Sequence, residues 1–191
     1  MRASLLALVS LVSLSALTGV AAADDQFHPV PGAPGLELRV VAYGRGVHGE
    51  MTVELHNRGG AEATFVASGL YFLPDDPSGD PPQRLAMVGG IRAGSEDAPV
   101  DGVAVAAGRT RKVRFDVFCI DEHRHAPPLD QAFTLAAQRL PPRVTREIVA
   151  QTKHVFSGVA LRPTAEQESM VQSLVWEARR QARARLLGER R

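Results

Sequence analysis

The sequence predicts an α+β protein, in which an antiparallel immunoglobulin-like or fibronectin-like β-sandwich is followed by two or three C-terminal helices. Two patterns lead to this prediction. Between residues 36 and 126, short segments alternate apolar and polar residues, and turns rich in Asn, Gly and Pro separate them. After residue 128 the spacing of apolar residues becomes helical. The composition, 45% hydrophobic and 23% charged, argues against long disorder, collagen and coiled coil.

Residues 1–23 have the features of a secretory signal peptide. Arg2 precedes an apolar run that extends from Leu5 to Val20, and three alanines follow at 21–23. The run is short for a membrane-spanning helix, and small residues at its end are typical of a cleavage site. We therefore expect an exported, periplasmic or extracellular chain of about 168 residues, with no transmembrane segment after cleavage.

The β-sandwich is expected over 36–126, after an extended N-terminal arm at 24–35 that is rich in Pro and Gly. The turn at 57–60 predicts a hairpin between the strands on either side of it. Gly89-Gly90 is expected to end the strand before it. The predicted strands cover residues 36–42, 51–55, 61–67, 69–73, 83–88, 103–105 and 111–120.

A helical segment is expected over 127–187, packed on the sandwich, with a basic end at 188–191. The predicted helices are a short one within 129–140, a second over 144–156 and a third that begins at a capping box, 164–167. The third helix carries an apolar stripe that we expect to be buried. The stripe consists of Met170, Val171, Leu174, Val175 and Ala178.

Charge limits the choice of partners. Without Arg2 the chain has 21 basic and 21 acidic residues, and this balance argues against a nucleic-acid partner. Residues 177–191, however, contain six Arg and two Glu. These arginines either form a solvated helix end or make weak contact with an anionic surface. We expect an unidentified protein or cell-envelope partner and no cofactor. The arginines of the proposed contact are Arg179, Arg180, Arg183 and Arg185.

The single cysteine, Cys119, cannot form an internal disulfide. Cys119, Asp121, His123 and His125 alternate along the chain, so an extended backbone would place four potential zinc ligands on one face. A second interpretation makes Cys119 a nucleophile with a histidine as its base. The alternation favours a third, because it puts Cys119 among the apolar residues of its strand, with both histidines in a loop.

Two segments resemble the paired motifs of bacterial surface thioester domains. They are Phe118-Cys119-Ile120-Asp121 and the helical stretch Val171–Trp176, which contains Gln172. In those domains a strand cysteine and a helix glutamine form an internal thioester. The resemblance implies that Cys119 and Gln172 are the bonded pair.

A broader set of motifs covers roughly residues 50–178. Their order is similar to that of bacterial proteins of the ARG/rhodanese-phosphatase-associated (ARPP) type and their exported relatives. This resemblance implies an architecture and no particular activity. The motifs are the Asn57 turn, Gln83-Arg84-Leu85, Ala107-Gly108, the strand that ends at Cys119, and a helical Gln172-x-x-x-Trp176.

Taken together, these patterns predict an exported, non-catalytic binding or structural module of unknown ligand. We expect its contact surface at a sheet edge or in the loop region 75–100. The alternative is a reactive-cysteine protein, in which Cys119 forms a thioester with Gln172 or belongs to a thiol or metal site. Exposure of the Cys119 thiol separates these two classes.

Overall fold

The computed structural model describes residues 26–44, 48–76, 79–94, 99–128, 130–156 and 163–188. These residues form mostly antiparallel β-structure followed by two C-terminal helices, which confirms the α+β class. The predicted signal peptide at 1–23 lies outside them. The elements are β1 (His28–Pro29), β2 (Leu36–Tyr43), β3 (His48–Asn57), β4 (Ala63–Val66), β5 (Tyr71–Pro74), β6 (Leu85–Arg92), β7 (Gly102–Val105), β8 (Thr110–Cys119), β9 (Phe133–Leu135), α1 (Pro142–Phe156) and α2 (Ala165–Gly188).

Seven strands form one antiparallel sheet in the order β1-β2-β3-β8-β6-β5-β9. The sheet curls until its two ends approach each other. Tyr43 at the end of β2 packs edge-on against Phe133 of β9, with ring centres 5.0 Å apart. The Thr134 hydroxyl and the His28 ring nitrogen Nε2 are 3.1 Å apart and form a hydrogen bond between β9 and β1. The sheet is therefore nearly closed around its own interior.

The remaining two strands, β4 and β7, pair with each other and pack over the interior of the sheet. Phe65 of β4 and Val103 of β7 belong to the same buried cluster as the inward residues of β2, β3 and β8. Buried Asn57 at the end of β3 ties the two sheets together, because its amide nitrogen donates to the Val105 carbonyl at 2.8 Å. One hydrophobic core thus lies between the large sheet and the short ribbon.

Both helices cover the outer face of β6 and β8. Phe118 and Ile120 point outward from the β8 end and join Val171 and Val175 of α2 in a second buried cluster. The inward residues of β8 belong to the first cluster, so the second half of this strand is buried on both faces. Such burial replaces the alternating pattern with a continuous apolar run at the end of β8.

The last helix begins as predicted. The backbone N–H of Thr164 donates to Gln167 Oε1 at 2.8 Å, and the Gln167 N–H donates to the Thr164 hydroxyl at 3.3 Å. The capping box is therefore present. The predicted stripe is correct for Val171, Val175 and Ala178, which are buried, but wrong for Met170, which is 47% exposed.

Two predicted elements are wrong. The turn at 57–60 does not join a hairpin, because β3 pairs with β2 and β8 while β4 pairs with β7. The helix expected within 129–140 is absent from the described part of that segment, which contains the strand β9 instead. Phe133 and Leu135 are buried and Thr134 is half-buried between them, so a period of two describes these three residues better than a helical one.

The glycine pair at 89–90 does not end a strand. β6 continues through it, with a register irregularity between Met87 and Ile91 that is typical of a β-bulge. Gly89 has φ +94°, and a β-carbon there would lie 3.0 Å from the Phe156 ring of α1. Glycine therefore lets the helix approach the bulged strand closely. The sheet also extends beyond 36–126 on both sides, since it includes β1 and β9.

Candidate functional site

Cys119 lies inside the core. It is the last residue of β8, it is fully buried, and it belongs to the same apolar cluster as Val117 and Phe115. Burial, with a smaller contribution from the negative charge of Asp121, raises the pKa of the Cys119 thiol to about 12. A thiol with this pKa stays protonated at neutral pH, so it is a poor nucleophile and a poor metal ligand.

Gln172 of α2 contacts Cys119, as the thioester resemblance implies. The Gln172 side chain, however, binds the main chain of Cys119 and not its thiol. Its Oε1 accepts from the Cys119 N–H at 3.0 Å, and its Nε2 donates to the Cys119 carbonyl at 2.8 Å. Among the described residues, pairing between β3 and β8 extends to His48 and Phe118, one residue before Cys119. At Cys119 itself the Gln172 carboxamide supplies a partner for both main-chain groups and attaches α2 to the end of β8.

The structure does not gather the predicted metal ligands. His123 and His125 are exposed in the loop after β8, while the Cys119 thiol faces the core. Asp121 is bound by Arg84, whose Nε and Nη2 donate to its two carboxylate oxygens at 2.7 and 2.6 Å. Across the described ranges, no three His, Cys, Asp or Glu side chains lie close enough together to hold an ion.

A wide cleft of about 820 Å³ opens beside the end of β8. Its walls come from β5, the residue before β6, the loop after β8, the segment before α1, and the last turns of α2. We call it the basic cleft, since six arginines and two carboxylates line it. The charged lining residues are Arg84, Arg124, Arg139, Arg179, Arg180, Arg183, Asp121 and Glu122.

Arg84 is held rigidly at one side of the cleft. The register that pairs Leu85 with Cys119 places Arg84 next to Ile120, whose N–H donates to the Arg84 carbonyl at 3.0 Å. The guanidinium carbon also lies 5.7 Å from the centre of the Tyr71 ring. Burial opposes ionisation of Asp121, but the hydrogen bonds and charge of Arg84 outweigh it and hold the pKa of Asp121 below its ordinary value.

Three of the four arginines predicted to contact an anionic surface are engaged by carboxylates. Arg180 contacts Glu122 and Glu177, and Arg185 contacts Glu147 at 3.0 Å. Arg179 lies 3.6 Å from Asp121, whose oxygens already accept from Arg84. Arg183 makes no ion pair with any residue that the structure describes. All four arginines lie on α2, the helix that packs on the outer face of the sheet.

Trp176 lies in the wall of the cleft. It is partly buried and packs against the main core, as expected for an anchor. Its indole nitrogen is buried and has no hydrogen-bond partner in the described part of the protein. Arg139, on the opposite side, donates to the carbonyls of Pro31 and Val66 at 2.8 and 2.9 Å, so it connects the segment before α1 to the N-terminal arm and β4.

Sequence patterns did not indicate Arg84, Tyr71 or Arg139 as site residues. Each lies far along the chain from α2, and only strand register and helix docking bring them near it. The available signal is the sequence Gln83-Arg84-Leu85, which belongs to the ARPP resemblance. Of the described residues within the loop region 75–100, Arg84 alone lines the cleft.

Neither helix, within the described ranges, has the length and apolar character needed to cross a bilayer. The chain matches no family model, and comparison with curated proteins and with solved structures also gave no match.

Proposed function

We propose that this chain is an exported, non-catalytic binding module whose binding surface is the basic cleft. The proposal rests on where the two candidate sites, the Cys119 thiol and the basic cleft, lie in the structure. The Cys119 thiol is enclosed in the core, whereas the cleft is open, concave and built on ordered elements. Concave sites of several hundred Å³ with a few fixed polar groups are typical of ligand binding.

The chemistry of the cleft supports binding over catalysis. Its described lining contains no Ser, Thr or Cys to act as a nucleophile. The carboxylate of Asp121 is held ionised by Arg84, so it lacks the raised pKa of a general acid. Glu122 is engaged by Arg180. The groups left to contact a ligand are guanidinium donors, the exposed His123 imidazole and Gln138 carboxamide, and the aromatic side chains of Tyr71 and Trp176.

We also propose that the curled sheet and the β4–β7 ribbon are the two layers of an immunoglobulin-like or fibronectin-like sandwich of the ARPP type. Antiparallel pairing throughout and the packing of the ribbon across the sheet interior support this architecture. Export through cleavage near residue 23 is supported by the apolar run and the three alanines. The intact mass of protein recovered from an export-competent host tests cleavage directly.

An experiment on Cys119 tests the non-catalytic assignment. Purified protein is treated with iodoacetamide in its native state and after unfolding in urea, and its intact mass is measured each time. We expect no alkylation of native protein and complete alkylation of unfolded protein. Before alkylation, we expect the mass calculated for the chain after cleavage, with no loss of ammonia. Alkylation of native protein at the rate of an exposed thiol would contradict the proposal.

A second candidate is an internal thioester between Cys119 and Gln172, and the contact between these residues favours it. Both heteroatoms of the Gln172 carboxamide are, however, occupied by the Cys119 main chain, and the thiol lies in the core. The same mass measurement decides between the two candidates. A thioester lowers the mass by one ammonia and leaves no free thiol after unfolding, and that result would replace the binding-module proposal.

A further inference from the structure

We propose that the basic cleft binds a small organic polyanion, a molecule with two or more phosphate or carboxylate groups on one compact body. This inference rests on the proposed binding function and adds the chemical class of the ligand. Three features of the cleft lead to it: its uncompensated positive charge, one arginine that lacks a full set of partners, and an apolar wall.

The first feature is charge. Six arginines line the cleft with two carboxylates, although the chain as a whole carries a formal net charge of +1. Arg84 is paired with Asp121, and Arg180 with Glu122 and Glu177, so the excess positive charge comes from the other four arginines. Among the described residues, no carboxylate pairs with Arg124 or Arg183. Like charges at this density repel one another, and a bound polyanion relieves that repulsion while a single negative charge relieves little of it.

The second feature is the arrangement around Asp121. Arg84 takes both carboxylate oxygens, at 2.7 and 2.6 Å. Arg179 is left 3.6 Å from the nearer oxygen, which is too long for a hydrogen bond. Its side chain is only 29% exposed, so it has lost much of its water without gaining a matching acceptor. An oxyanion beside Arg179 would supply the bidentate partner that a guanidinium prefers.

The third feature is the shape and composition of the wall. Trp176, Val144 and Pro141 line the cleft beside the arginines, so a ligand body contacts apolar and aromatic surface while its anionic groups meet guanidinium groups. The volume of about 820 Å³ matches a small molecule. A membrane surface is flat and could not reach the floor of a concave cleft.

Trp176 is the chain's single tryptophan, so its fluorescence reports on the cleft. We would titrate full-length exported protein at low salt with citrate, with fructose 1,6-bisphosphate and with inorganic phosphate, following tryptophan emission and heat. The first two probes distinguish carboxylate from phosphate groups. We expect at least one of them to bind about tenfold more tightly than inorganic phosphate, with affinity falling as salt is added.

Two substitutions and a matched control locate the site. Arg183→Gln and Arg179→Gln should each weaken binding of the best probe by about tenfold. Arg146→Gln is the control, because Arg146 is an exposed arginine on α1 that does not line the cleft, and it should leave affinity within about twofold. Urea unfolding of each variant confirms that the fold is retained.

Three results would overturn the inference. In the first, the protein responds to no anion at millimolar concentration. In the second, Arg146→Gln loses as much affinity as the cleft variants, and in the third the protein binds phosphatidylglycerol vesicles but neither citrate nor fructose 1,6-bisphosphate. Tryptophan quenching by a neutral sugar such as sucrose, with no response to anions, would overturn the anion class while the binding function stands. Native alkylation of Cys119 would instead remove the proposed function itself.

Discussion

Gln172 provides the sharpest test of how the helices are attached to the sheet. Its carboxamide makes two hydrogen bonds to the main chain of Cys119, at 3.0 and 2.8 Å, and the residue is only 4% exposed. Gln172→Leu keeps a side chain of similar size but removes both hydrogen bonds. The Cys119 N–H and carbonyl would then be buried without partners, and water could not reach them without opening the contact between α2 and β8.

The expected loss of stability follows from the Cys119 N–H and carbonyl, which lose their hydrogen-bond partners. Each buried, neutral main-chain group without a partner costs about 1–3 kcal/mol, so the loss of both hydrogen bonds in Gln172→Leu should lower the free energy of unfolding by about 2–6 kcal/mol. The extra apolar surface of leucine offsets about 1 kcal/mol of this at most. A loss of this size is a large fraction of the stability of an ordinary domain.

Urea unfolding followed by Trp176 fluorescence measures the change. Gln138→Leu is the matched control, since Gln138 is exposed and should tolerate the same substitution within about 0.5 kcal/mol. If Gln172→Leu unfolds at the same urea concentration as the wild type, the two hydrogen bonds do not stabilise the fold and the reasoning is refuted.

Gln172→Glu adds a dependence on pH with a defined sign. A protonated carboxyl group keeps one acceptor and one donor for Cys119, whereas an ionised one places a second acceptor against the Cys119 carbonyl. Burial and this repulsion should raise the pKa of Glu at position 172 in the folded state above the unfolded value of about 4.3. Relative to the wild type, the variant should therefore be least destabilised below pH about 4 and become more destabilised as pH rises. A difference from the wild type that is the same at acidic and neutral pH would contradict this account.

Three further predictions concern stability measured by urea unfolding. Because the pKa of Cys119 is raised from 9.0 to about 12 in the folded state, the wild type should lose about 1 kcal/mol between pH 9 and 10, and Cys119→Ala should lack this loss. The comparison stops at pH 10 because burial also raises the pKa of Tyr43, which adds a loss in both proteins at higher pH. Gly89→Ala should cost about 1–3 kcal/mol more than Gly108→Ala, because both glycines have positive φ but only Gly89 faces an α1 aromatic ring. Asp116→Ala should cost about 2–3 kcal/mol, because it removes two hydrogen bonds, at 2.9 and 2.7 Å, from the buried Arg92 guanidinium and leaves it the carboxylate of Glu50 at 3.3 Å. Arg92→Met in the same chain should recover part of the loss.

The sequence predicted those elements whose residues show a local pattern. The alternation placed the inward residues of β3 and β8 correctly, and those of β2 as far as Val40. A register irregularity after Val40 then buries Tyr43 in place of Ala42. The capping box placed the start of α2 because Thr164 and Gln167 interact within one helical turn. Burial of Cys119 also followed from this alternation, since it shares the inward face of β8 with Val117.

Strand pairing was not predictable from local patterns. The turn after Asn57 has the composition of a hairpin, yet Asn57 uses its side chain to join β3 to β7, and β4 belongs to the other sheet. The strand β9 is only three residues long and stands next to a helix, so its own pattern is too short to distinguish it from a helical turn. Its position depends on pairing with β5, more than fifty residues earlier.

The sequence by itself determined the α+β class and the inward face of β8, and it favoured burial of the cysteine there, because each depends on the spacing of apolar residues along a few turns or strands. Only the tertiary structure decided what surrounds the end of β8. The β6–β8 register brings Arg84 to Asp121, and docking of α2 brings Gln172 to Cys119 and Arg179 to the cleft. These contacts join residues separated by 37 to 58 positions, and no local pattern encodes which distant strand or helix will be the neighbour.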